Sequence, residues 1–173
     1  MKTAGVIIAI AVALALQTTL ARFVIRGAAA VDLVLIVVVY VGLTSGPVTG
    51  LLTGTVAGLA QDALASGILG IGGLAKTVVG FIAGIVGTQF IVGQTISRLI
   101  VFFGATLVHA LIVNGFQVLL DPRRFVPSYS ATLSQGLANA LVGVIAFQIV
   151  EGLPAVIERR RNNRSRVSLG RRL

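Results

Sequence analysis

Apolar residues run along this chain in six long blocks, each ended by glycine, proline or charge rather than by a regular alternation of polar positions. The blocks cover about 4–20, 27–44, 47–65, 74–92, 98–120 and 129–153, or about 17 to 25 residues apiece. At about 1.5 Å rise per residue, some 20 apolar residues carry a helix across a hydrocarbon core roughly 30 Å thick. The pattern therefore predicts six transmembrane helices. A membrane β-barrel would need in-and-out alternation over strand-length segments, and that alternation is absent.

The breaks fit this count. Arg22 and Arg26 bracket the first connection, and Ser45-Gly46-Pro47 reads as a tight turn whose proline is pre-set for the first turn of the next helix. Ser66 to Gly73 form a glycine-rich turn, and Gly93 to Ser97 a short surface connection. Asp121-Pro122-Arg123-Arg124 stops the fifth block, because proline removes a helical hydrogen bond and charges prefer the interface. Glu151-Gly152-Leu153-Pro154 ends the sixth. The first block follows Lys2 and resembles a signal peptide in length, but the Thr19-Leu20-Ala21 cleavage site is poor with Arg22 next to it. It is read as a retained span.

Composition turns this pattern into a class. With 56% hydrophobic residues, 11% charged residues and a mean hydropathy of +1.01, the chain is an all-α integral membrane protein, a six-helix bundle. Residues 1–157 form the transmembrane domain and 158–173 a basic cytoplasmic tail. There is no cysteine, so disulfides and thiolate metal sites are excluded, and the single histidine argues against a histidine-based metal centre.

The net charge of +9 is local, because seven of the 14 basic residues lie in the tail, among them Arg159, Arg160, Arg161, Arg164 and Arg166. Beside an apolar span such a tail fixes topology and is drawn to anionic lipid headgroups, at about 1 kcal/mol per basic residue, which accounts for it without nucleic acid. With both termini in the cytoplasm, Lys2, Arg98 and the seven tail arginines lie inside, and Arg22, Arg26, Arg123 and Arg124 outside. That is nine against four, as the positive-inside rule requires. A five-span arrangement with the N-terminus outside is the alternative.

Within this frame the few polar residues acquire places. Glycines recur at Gly46, Gly50, Gly54 and Gly58, the next step of four reaches Asp62, and Gly80 and Gly84 repeat the spacing one span later. Small residues four apart let helix backbones approach closely where lipid gives no hydrophobic drive for association. Four residues advance about 400°, so the row slants around its helix. It serves either internal packing alone or, in addition, a homodimer or partner seam.

Asp32, Asp62 and Lys76 all fall in the outer half of the membrane on this topology. A charge inside a bundle costs at least about 2.5 kcal/mol unless paired, and Asp62 with Lys76 is the expected pair across the glycine-rich turn. The three then frame a polar pocket or partner seam. The alternative places the acids at headgroup level with Lys76 snorkelling beside them. His109, near the middle of the fifth block, reads as an interhelical hydrogen-bond partner, since a proton relay lacks an aligned acid at that depth. Asn114 and Gln117 lie further along the same block, and Gln135 and Asn139 on the sixth read as packing contacts. No nucleophile–base pair, metal spacing or phosphate loop emerges, so neither an enzyme nor a cofactor is expected.

Val31-Asp32-Leu33, the Gly50/Gly54/Gly58 series, Gln61-Asp62, Ser66-Gly67, Leu69-Gly70 and Gly80-Phe81 occur in an order and spacing that resemble the MreD family of rod shape-determining membrane proteins. The likeness lies mainly in residues 31–90, and Val31 departs from the proline common there. It implies a non-enzymatic inner-membrane component of the bacterial cell-wall elongation machinery, associated with MreC, MreB, RodA and a class B penicillin-binding protein. It also implies a fold similar to the substrate-binding subunits of energy-coupling vitamin transporters. A small-molecule-binding transport subunit is therefore the competing function. Ala9/Ala13 and Ala11/Ala15 would offer it small-residue contacts, but the turn between the third and fourth blocks lacks a ligand-reading loop.

Overall fold

The computed structural model describes residues 3–20, 31–65, 70–90, 94–120 and 129–169, with backbone alone at 3, 20 and beyond 152. Six helices make up nearly all of it: α1 (Thr3–Leu20), α2 (Leu33–Ser45), α3 (Pro47–Leu64), α4 (Ile71–Gln89), α5 (Thr95–Leu120) and α6 (Tyr129–Leu169). There is no strand among the described residues. Lys2, Ala21, Arg22, Arg26, Ser66, Gly67, Leu69, Gly93, Arg123 and Arg124 lie outside them, so the expectations placed there are not addressed.

Among the described residues, three helices are long and apolar enough to cross a membrane: α4, α5 and the Tyr129–Gly152 part of α6. The second block departs from expectation. Its helix has 13 residues and begins only at Leu33, because Asp32 acts as its N-cap and accepts a hydrogen bond from the Leu35 N–H at 2.9 Å. A side-chain acceptor at this position satisfies a donor that the helix start leaves open. At the other end of the chain, the Tyr129–Gly152 part of α6 is apolar, and the helical backbone continues past Pro154, where the sequence places the end of the block, to Leu169. Arg159, Arg160, Arg161, Arg164 and Arg166 lie on that extension.

The short α2 is the axis of the bundle. Its valine- and isoleucine-rich sequence is buried on two sides, with Val34, Leu35, Ile36, Val38, Val39, Val41 and Gly42 all inside. Leu35, Ile36 and Val39 pack with Val79 and Ala83 of α4, Phe102 of α5 and Val144 and Phe147 of α6. Val34, Val38 and Val41 meet Val6, Ile10 and Ala13 of α1 and Ala57 of α3. β-branched side chains lose little further freedom when fixed in a helix, so they form a stiff surface for close packing. Large apolar side chains such as Leu52, Val56, Ile100, Leu111, Leu137 and Leu141 point outward, where a bilayer would meet them.

The glycine row is the contact surface of α3 and α4. A Cβ on Gly50 would meet the carbonyl of Gly80, one on Gly54 the carbonyl of Lys76, and one on Gly84 the Cα of Pro47. A Cβ on Gly58 would lie 2.5 Å from the Cα of Gly73. Two backbones thus touch along the row, and a Thr55–Thr77 hydroxyl contact of 2.8 Å joins them midway. Gly42 of α2 joins the same seam, since its Cβ would lie 2.7 Å from the Gly80 oxygen. Gly46 turns the chain from α2 into α3 with φ of 90°, a conformation that disfavours any side chain. Gly50, Gly54, Gly58, Gly80 and Gly84 all face neighbours within this chain.

Candidate functional site: a charged cluster inside the bundle

Asp32 lies at the start of α2, where it is surrounded by α4, α5 and α6. Its Oδ2 lies 2.9 Å from Lys76 Nζ on α4, and both residues are buried, at 6% and 2% exposure. The same ammonium lies 3.1 Å from His109 Nε2 on α5. An ammonium only donates, so Nε2 accepts and the ring proton sits on Nδ1. The backbone N–H of Asp32 donates to Asn139 Oδ1 on α6 at 2.9 Å, and Asn139 Nδ2 donates to Thr106 Oγ1 on α5 at 3.1 Å. One connected network thereby ties α2, α4, α5 and α6 together.

Asp62 has a different task from the one expected. Its Oδ2 accepts hydrogen bonds from the N–H groups of Gly70 and Gly73, each at 2.9 Å, and so closes the start of α4. It makes no ion pair with Lys76; Lys76 pairs with Asp32. The physical reason is proximity. The turn after α3 returns Asp62 to the beginning of α4, where open backbone donors and the positive end of the helix dipole attract a carboxylate. Lys76, one turn further in, is left to the acid supplied by α2. It is not snorkelling to an interface, given its 2% exposure.

Asp32, Asp62 and Lys76 nevertheless line one cavity of about 250 Å3, together with Gln61, His109 and Gln117. The sequence brought the three charges to one level; the structure adds His109, Gln61 and Gln117. His109 meets the Lys76 ammonium, which in turn meets Asp32, so the acid and the imidazole share one cation. No group of three or more metal-ligating side chains occurs among the described residues. Chemically, the arrangement can hold a buried charge, cross-link helices and offer polar groups to the cavity.

Several members escaped the sequence. The sequence reads Asn139 as a packing contact without giving its partners and does not single out Thr106; the amide, 1% exposed, binds both Thr106 and the Asp32 N–H. A second polar cluster lies away from the cavity. Arg98 Nη2 lies 2.9 Å from Glu151 Oε2, its guanidinium stands 4.0 Å over the Phe147 ring, and Tyr40 meets that ring edge-on at 5.0 Å. The sequence places Arg98 only as an inner-side charge, since nothing local points from position 98 to position 151.

No curated protein and no solved structure matches the chain. The family model described as rod shape-determining protein MreD matches residues 2–154. That range contains α1 to α5, the apolar part of α6, the glycine seam and the whole charged network. Covering most of the chain, the match makes this protein a member of the MreD family of rod shape-determining membrane proteins.

Proposed function

We propose that this protein is a non-enzymatic scaffold of the bacterial cell-wall elongation complex. It resides in the inner membrane with both termini in the cytoplasm. It assembles with MreC and, through MreC, with MreB, RodA and a class B penicillin-binding protein. Family membership supports rod shape determination as the setting. The observation that carries the scaffold reading is the network itself. Asp32, Lys76, His109 and Asn139 bind one another and thereby fix the relative places of four helices. A bundle cross-linked in this way presents fixed outer faces, rich in Ile100, Leu111, Leu137 and Leu141, to partner helices. The arginine tail of α6 holds the cytoplasmic end near anionic lipid.

Co-purification from membranes tests this. A tagged chain is expected to recover MreC together with RodA and the penicillin-binding protein, and Gly54→Leu, which separates α3 from α4, is expected to lose them. If the wild-type chain recovers none of these proteins, or Gly54→Leu and Asp62→Asn recover them equally well, the scaffold reading fails. Recovery of an ATP-hydrolysing coupling protein instead would favour the transport-subunit reading. Orientation is checked by single cysteines placed at each terminus of this cysteine-free chain. Both are expected to resist membrane-impermeant thiol reagents in intact cells.

A further inference from the structure

The cavity that the charged network borders contains more hydrogen-bonding capacity than the fold uses. Its volume of about 250 Å3 is roughly eight times the share of liquid that one water occupies. Gln61 Oε1 is buried at its edge without a hydrogen-bond partner. Asp62 takes both glycine N–H groups on Oδ2, which leaves Oδ1 as a further acceptor. His109 commits Nε2 to Lys76 and keeps its Nδ1 proton. Gln117 adds a second amide to the wall.

The charges restrict what this wall accepts. An anion would meet the carboxylates of Asp32 and Asp62. A cation would meet the Lys76 ammonium and the positive end of α4, whose Ile71 and Gly72 form part of the lining. A neutral group escapes both penalties. Two amides, each both donor and acceptor, suit paired hydroxyls, and Ile71 and Val113 supply an apolar surface next to them. A ring with hydroxyls at its edge and C–H bonds on its face matches this combination of walls.

We infer that the cavity between α3, α4 and α5 binds a neutral hydroxyl-bearing ring of the sugar or cyclitol class, held by Gln61, Asp62, His109 and Gln117. The ring is either a free molecule or the headgroup of a glycolipid. This goes beyond the scaffold role and does not depend on partner assembly. The full chain in detergent is titrated with myo-inositol and with methyl glucoside, and saturation-transfer NMR reports contact. A saturable signal is expected from at least one of them, and none from choline or acetate. Gln61→Leu and Gln117→Leu are expected to weaken binding at least tenfold while keeping the wild-type unfolding midpoint. If either leucine variant fails to fold, Gln61→Met and Gln117→Met replace them with a closer match in shape. Native mass spectrometry of protein taken directly from membranes separates the two sources. A glycolipid adduct displaced by methyl glucoside identifies a headgroup, whereas binding without an adduct identifies a free molecule. Absence of a saturable signal from both rings, equal binding by the variants, or a stronger signal from choline or acetate overturns the inference.

Discussion

Lys76 Nζ lies 2.9 Å from Asp32 Oδ2, with both side chains almost completely removed from the surface of the bundle. Two charges held in an apolar interior carry a large desolvation cost that only mutual contact and additional hydrogen bonds offset. The additional bonds are present here: Asp32 also accepts from Leu35 N–H, and Lys76 also donates to His109. The pair therefore makes the position of α2 against α4 conditional on both residues.

Removing one partner should be far worse than removing both. Lys76→Met is expected to lower stability by about 3–5 kcal/mol, because it leaves Asp32 buried and uncompensated. The double variant Asp32→Asn/Lys76→Met is expected to recover a large part of that loss. Unfolding equilibria in mixed detergent would measure the coupling. Additive effects of the two single changes would contradict a shared ion pair.

Glycines inside and outside the seam should respond in opposite ways. Gly50→Ala and Gly80→Ala force a methyl against a facing carbonyl and are expected to cost about 1–3 kcal/mol. Gly104 and Gly115 on α5 have nothing within 4 Å of an added Cβ. There, alanine is expected to be neutral or to stabilise by up to about 1 kcal/mol through helix propensity. The comparison requires only the four single variants and one thermal assay.

Asp62 should act on the start of α4 rather than on Lys76. Asp62→Ala is expected to lower stability by about 0.5–2 kcal/mol, as loss of a helix-start acceptor does. Asp62→Asn retains an acceptor oxygen and should lose less. Hydrogen exchange at the Gly70 and Gly73 amides would accelerate in Asp62→Ala while exchange in the middle of α2 stays slow. Equal acceleration throughout the bundle would show that Asp62 has a global role instead.

Asn139 makes two of the network's bonds from a fully buried site. Asn139→Leu leaves the Asp32 N–H without its acceptor and is expected to cost about 1–3 kcal/mol. Thr106→Val removes only the hydroxyl that Asn139 donates to, and that hydroxyl is itself bonded to the Phe102 carbonyl. A smaller loss is expected there, and a double-variant cycle would show the two sites coupled.

The sequence by itself determined the class, the number of helices among the described residues and the grouping of Asp32, Asp62 and Lys76. These properties are local: apolar block length sets helix length, glycine or proline sets the breaks, and position within a block sets which end of the bundle a charge approaches. It also marked the α3–α4 contact surface, because glycines at a spacing of four imply close backbones whatever the neighbour proves to be. Partner choice was decided only by the tertiary structure. Asp62 was the nearer acid to Lys76 along the chain, but the chain reversal delivers it to the open N–H groups of Gly70 and Gly73. α2 wedges its capped N-terminus between α4, α5 and α6, and so Asp32, remote in sequence, becomes the counter-charge. The meetings of His109 with Lys76, Asn139 with Thr106 and Arg98 with Glu151 have the same origin. Each depends on which helices are adjacent and how they are rotated, and periodicity within a single helix carries no information about either.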